Sequence, residues 1–139
     1  MKRILVVDDD PPVARLIGAA LKAANVEHVL DHCSDGGQAR LKVAQGGYDL
    51  VTLDLAMPLM DGFEALKQMR NNPKCANVPV IVITSHQDPE MHRRALELGA
   101  VAVLTKPFQL QAVGDILAKA LAGGEDLGGA SSGLKPLGV

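Results

Sequence analysis

Through residue 122, short apolar runs alternate with stretches whose apolar positions recur at helical spacing. The runs cover residues 3–8, 26–32, 49–53, 78–84 and 101–104 and are rich in Val, Ile and Leu, the pattern of β-strands. Between the first two, Val13, Leu16, Ile17, Ala20, Leu21 and Ala24 fall at i, i+3, i+4, i+7, i+8 and i+11, one apolar face of an α-helix. Asp10 before Pro11 supplies an N-cap and a first-turn proline whose missing N–H costs nothing there. The same pairing, Asp88-Pro89 followed by Glu90, opens a helix that should end near Gly99. Further helices are expected near residues 35–44, 63–71 and 109–122, with Gly36-Gly37 and Gly46-Gly47 at the ends of the first of these.

Strands separated by helices imply parallel βαβ units with right-handed crossovers. Residues 4–7 and 80–83 are continuously apolar, as central strands covered by helices on both faces must be; residues 26–32 carry more polar side chains and suit an edge. The expected fold class is α/β, a doubly wound five-stranded parallel sheet. After Leu121 the pattern stops: six of the last seventeen residues are Gly, and Leu127, Leu134 and Leu137 are too scattered to pack. Residues 1–122 are therefore expected to form one domain and residues 123–139 a flexible Gly-rich tail.

Composition narrows the function. Leu, Val, Ile and Phe make up 40 of 139 residues, enough for one core. No stretch approaches 18 apolar residues and no signal-peptide core follows Met1, so no membrane insertion and a cytoplasmic location are expected. Fourteen basic against sixteen acidic side chains argue against a polyanion binder, and the absence of Trp with one Tyr and two Phe argues against a stacking platform, so no direct nucleic-acid partner is expected. Cys33 and Cys75 form no CxxC pair and read as buried thiols. Eleven of the sixteen acids are Asp, the acid of caps, loops and hard-cation sites.

In a parallel α/β sheet every strand ends on one edge, and ligands bind beyond those ends where the chain order reverses. Asp8-Asp9-Asp10 closes the first run, Asp54 follows the third, Thr84-Ser85 closes the fourth, and Lys106-Pro107 follows the fifth. Taken singly, Asp10 is a cap, an Asp after a strand is a turn former and Lys106 is a surface lysine; their joint placement at one edge points to a site. Asp8, Asp9 and Asp54 repel one another unless a cation intervenes, either Lys106 or a metal. Oxygen ligands without His or Cys favour Mg²⁺. A carboxylate nucleophile, Mg²⁺, a lysine and a hydroxyl are the requirements of phosphoryl transfer onto Asp. His28 and His32, four residues apart on a strand, would stand roughly 13 Å apart, too far to share an ion. His86 and His92 read as solvated loop and helix residues.

The motifs Ile4-Leu5-Val6-Val7-Asp8-Asp9, Asp54-Leu55-Ala56-Met57-Pro58-Leu59-Met60-Asp61-Gly62, Ile83-Thr84-Ser85, Gly99-Ala100 and Lys106-Pro107-Phe108 occur in order. With these motifs the chain resembles the receiver domains of two-component response regulators over about residues 2–122. The resemblance implies a flavodoxin-like sheet with strand order 2-1-3-4-5. It implies Asp54 as phosphoacceptor from a sensor histidine kinase or a histidine phosphotransfer protein. Mg²⁺ would be held by Asp9 and Asp54, by Asp8 through water and by the backbone carbonyl of Ala56. Lys106 would pair with Asp54 and then with the phosphoryl group, and Thr84 would move to bond it and report the event to a downstream protein target. Gly62 would supply a backbone geometry that other residues resist, and His86 lies where the family places side chains that influence dephosphorylation. Where many receivers carry an aromatic residue, three positions before the lysine, this chain has Val103, which has no ring to relocate. The signal is then expected to run through Thr84, residues 85–88 and the following helix.

The expected protein is a single-domain switch and not an enzyme with a separate product. Its main rival is the receiver of a longer regulator with a DNA-binding or enzymatic output domain. An aspartyl-phosphate phosphatase is disfavoured because position 56 is Ala and lacks the second acid, and a flavodoxin-like electron carrier because three aromatics can hardly flank a flavin.

Overall fold

The structure, a computed structural model, describes residues 1–55, 62–85 and 87–123. The order of elements is β1 (Lys2–Val7), α1 (Pro11–Ala23), β2 (His28–Cys33), α2 (Gly36–Gln45), β3 (Leu50–Leu53), α3 (Gly62–Asn71), β4 (Val80–Thr84), α4 (Pro89–Glu97), β5 (Ala102–Thr105) and α5 (Leu110–Leu121). All adjacent strands pair in parallel, in the order β2-β1-β3-β4-β5. This is the doubly wound, flavodoxin-like sheet the sequence and the resemblance led us to expect. The chain steps from β1 out to β2 and then returns to β3 on the other side of β1. The winding reverses between β1 and β3, which opens a crevice beyond their C-terminal ends.

Strand alternation divides the core. Leu5, Val7, Val51, Leu53, Val80, Val82 and Val103 face α2, α3 and α4 through Ala39, Val43, Leu66, Met69 and Ala95. Ile4, Val6, Leu50, Ile81, Ile83 and Leu104 face α1 and α5 through Ile17, Leu21, Ile116 and Leu117. Each large apolar side chain fully buried contributes about 1.5–3 kcal/mol, so the register of the central strands is set by covering both of their faces. Gly114 lets α5 lie close to α1, since a Cβ there would stand 2.9 Å from the Ala20 carbonyl oxygen. The more polar β2 lies at an edge, and Cys33 and Cys75 are buried free thiols, that of Cys75 donating to the Met69 carbonyl at 3.2 Å.

Several expectations need correction. Asp88 caps α4 as expected, its side chain accepting from the Glu90 amide at 3.0 Å. Asp10 stands at the N-cap of α1 but its side chain does not cap; instead its amide donates to Asp8 Oδ1 at 2.8 Å. β2 and β4 each begin two residues later than the apolar runs, because the Val26 and Val78 amides bond to the Leu21 and Cys75 carbonyls within connecting turns. His92 is buried, 6% exposed, on the same face of α4 as Ala95 and is not a solvated helix residue. Among the described residues no helix is long and apolar enough to cross a membrane. Beyond Gly123, the expected tail lies outside the described residues.

Candidate functional site

The site begins where β1 and β3 end together. The register pairs Val7 with Leu53, so the next residues, Asp8 and Asp54, emerge side by side at the carboxyl edge. The ladders persist one residue further: the Asp8 amide donates to the Cys33 carbonyl and the Asp54 amide to the Val7 carbonyl, both at 3.0 Å. The carboxylates of Asp8, Asp9 and Asp54 converge, with one oxygen from each within 4.8 Å of the others. Asp8 and Asp54 are buried at 2% and 5% exposure, whereas Asp9 is exposed.

Lys106 leaves β5 and reaches across the end of β4, where its amide donates to the Thr84 carbonyl at 2.7 Å. Its Nζ donates to Asp8 Oδ2 at 3.0 Å and to Asp54 Oδ2 at 3.1 Å. The Lys106-Pro107 peptide is cis. Burial alone would depress the ammonium, but the bonds and charges of Asp8 and Asp54 outweigh it and hold Lys106 above its usual value. Burial pushes the Asp8 carboxyl up, with Asp54 adding to the rise, against the opposing pull of the Asp10 amide and Lys106. Three carboxylates against one ammonium leave a formal excess of negative charge at a partly buried point, the condition under which a hard cation binds. Oxygens on one octahedral Mg²⁺ stand at most ~4.2 Å apart, close to the spread these three carboxylates already have, so the residues fit the ion.

Thr84 is fully buried as the last residue of β4, in register with Thr105 on β5. The Thr105 hydroxyl is buried with no hydrogen-bond partner among the described residues. At the start of α3, Gly62 is required for space: a Cβ there would stand 2.6 Å from Leu55 Cα. The expectation that its backbone geometry is special gives way to close approach. Ala56, the expected turn over residues 57–61 and His86 lie outside the described residues. The structure thus brings Asp8, Asp9, Asp54 and Lys106 together, with Thr84 on the strand between Asp54 and Lys106.

One contact at the site is not visible in the sequence. The His32 Nε2 stands 2.7 Å from the Asp8 backbone carbonyl oxygen. His28 bonds elsewhere, its Nδ1 lying 2.9 Å from the Val26 carbonyl. The signal that could have found it is the strand order that the resemblance implies, which sets the end of β2 against the end of β1.

Residues 4–118 match the family model for the response regulator receiver domain, and the chain belongs to that family. It is 37% identical over 121 residues to the chemotaxis protein CheY of Treponema pallidum, covering 86% of this chain and 82% of that protein. It is 39% identical over 104 residues to the gliding motility regulatory protein of Myxococcus xanthus, covering 75% of this chain and 13% of that one. The Mn²⁺-bound form of the response regulator Rcp1 superposes with a TM-score of 0.72 at 30% identity, covering 84% of this chain and 89% of Rcp1. The chain spans 13%, 25% and 47% of the length of three further-reaching regulators it matches. Receiver domains of two-component systems act as phosphorylation-dependent switches, bind Mg²⁺ at an acidic pocket, and as a class interact with histidine kinases and downstream targets.

Proposed function

We propose that Asp54 accepts a phosphoryl group from the phosphohistidine of a sensor kinase or a histidine phosphotransfer protein, and that the chain works as a single-domain switch. What carries this reading is the convergence of two buried carboxylates on one lysine at the point where the sheet reverses its winding, with contacts of 3.0 and 3.1 Å.

On this reading a carboxylate oxygen of Asp54 attacks phosphorus in line with the P–N bond. The O–P bond forms as the P–N bond breaks, and the bond pair returns to the imidazole nitrogen, which takes a proton from solvent. Asp9 and Asp54 would hold Mg²⁺, with Asp8 through water and the Ala56 carbonyl, and the ion would neutralise charge on the phosphoryl oxygens. Lys106, already between Asp8 and Asp54, exchanges one carboxylate for a phosphoryl oxygen. The Thr84 hydroxyl, at the end of β4, turns to bond the same group. Since Val103 is fully buried and has no ring to swing, the change passes to residues 85–88 and α4. The chain would act in the cytoplasm on a downstream protein target, without direct nucleic-acid contact or membrane insertion. The folded unit would be residues 1–122, with residues 123–139 a flexible tail.

A second reading has a specific observation behind it. Because several relatives are much longer, the chain also fits the receiver portion of a regulator with an output domain. Both readings share the chemistry at Asp54.

The test is phosphoryl incorporation from a small phosphodonor. Labelling is expected with Mg²⁺ or Mn²⁺ and is expected to vanish with chelator and in Asp54→Asn. Labelling undiminished by either would overturn the reading.

A further inference from the structure

We propose that His32 is a positioning residue that fixes the acidic loop after β1 for cation binding; this rests on the reading of Asp8, Asp9 and Asp54 as a Mg²⁺ site. Asp8 is held at four points. Its amide donates to the Cys33 carbonyl at 3.0 Å, and its carboxylate accepts from the Asp10 amide at 2.8 Å and from Lys106 at 3.0 Å. The fourth point is its backbone carbonyl, 2.7 Å from His32 Nε2. A carbonyl oxygen can only accept, so Nε2 carries the hydrogen and His32 donates.

The consequence falls on Asp9. The Asp8 carbonyl and the Asp9 amide belong to one rigid peptide plane, so fixing the carbonyl fixes the direction in which Asp9 leaves the strand. Asp9 is the exposed member of the carboxylate group, and among the described residues no hydrogen bond holds its side chain. Its aim toward Asp54 therefore depends on the backbone behind it. His32 and Cys33, consecutive at the end of β2, grip the carbonyl and the amide of Asp8 respectively, so the edge strand acts as a two-point clamp. A loop free to rotate about that peptide would have to lose its freedom when an ion binds, and affinity would fall by the cost of that ordering. Groups that orient ligands without touching the metal are typically worth 10–100-fold in affinity. One hydrogen bond to the backbone belongs at the lower end.

The experiment measures binding of Mn²⁺ alone by electron paramagnetic resonance, with no phosphodonor, in wild type, His32→Ala, His32→Leu, His32→Gln and Asp9→Asn. Thermal melts of the metal-free proteins run alongside. Glutamine places an amide N–H close to where Nε2 stands and keeps the donor; leucine keeps bulk without one. Expected are roughly ten-fold weaker binding in the alanine and leucine variants and near wild-type binding in the glutamine variant. The metal-free glutamine and leucine variants are expected to melt alike, so that stability does not track affinity. If alanine prevents folding, the leucine and glutamine pair carries the comparison. Equal affinity in wild type and leucine variant, with binding still lost in Asp9→Asn, would overturn the role of His32 and leave the metal site standing. Binding as weak in glutamine as in leucine would equally overturn it. Wild-type binding indifferent to Asp9→Asn would overturn both the proposal and the reading beneath it.

Discussion

Lys106→Ala removes the cation that separates Asp8 from Asp54. Its Nζ stands 3.0 and 3.1 Å from carboxylates that are 2% and 6% exposed, while the lysine side chain is 21% exposed. Removing one partner from a buried ion pair typically costs 3–5 kcal/mol, because the remaining charge stays buried and unpaired. Here the lysine is partly solvated and the Asp8 carboxyl already sits above its usual value, so protonation offers relief and the lower figure applies, about 3 kcal/mol. That is a large fraction of a domain's 5–15 kcal/mol. The pH dependence has a definite sign. Losing Lys106 removes two influences that lower the Asp8 carboxyl, so the folded variant binds a proton more tightly than the unfolded chain, whose Asp titrates near 3.8. As pH falls from neutral toward that value the variant should therefore recover stability relative to wild type, with no further gain below it. Urea unfolding followed by far-ultraviolet circular dichroism, in chelator, measures the loss, and added Mg²⁺ should restore part of it. In an Asp8→Asn background the same lysine substitution should cost less than half as much. An equal cost in both backgrounds, independent of pH and Mg²⁺, would refute the idea that Lys106 balances the carboxylates.

Three other outcomes are expected. Burial, then the bond it donates to Asp31 at 2.6 Å, pushes the Tyr48 hydroxyl from 10.0 up to about 12; absorbance at 295 nm reads this directly on the chain's one tyrosine. The folded protein should accordingly lose stability as pH rises through 10 toward 12, and a midpoint near 10 would contradict the burial of this ring. Gly62→Ala should destabilise by about 1–3 kcal/mol in urea unfolding, since its Cβ would stand 2.6 Å from Leu55 Cα. Thr105→Val should stabilise by about 1 kcal/mol, because it replaces by a methyl group a buried hydroxyl that has no partner among the described residues; a loss of stability would mean the hydroxyl is satisfied.

The alternation of apolar runs and helical faces is enough to place the ten elements of the described residues, because central strands covered on both faces cannot be polar and Asp-Pro pairs leave little freedom in where a helix starts. The strand order was not in the periodicity. It came with the resemblance, and only the pairing of β1 with both β2 and β3 makes Asp8 and Asp54 neighbours. Strands start later than the apolar runs at Val26 and Val78, where hydrophobicity is visible in the sequence but the choice of carbonyl partner is not. His92 was hidden by its polarity, although it lies three residues before Ala95 on the buried face. The contact of His32 is lateral, from one strand end to the next, and a single run of sequence does not display such neighbours. At the site itself, the convergence of the three carboxylates, two of them on Lys106, is legible because each group follows a strand of one parallel sheet.

The central claim is that Asp54 carries the phosphoryl group, and chemical trapping tests it most directly. After exposure to a small phosphodonor with Mg²⁺, borohydride reduces an aspartyl phosphate to homoserine at the modified position. Trypsin then releases residues 43–67, a peptide with Asp49, Asp54 and Asp61, and tandem mass spectrometry reads which one has changed. Homoserine at position 54 alone, and none when chelator replaces Mg²⁺, is the expected result. Homoserine at Asp8 or Asp9, or a stable phosphate on serine with Asp54 unchanged, would contradict it.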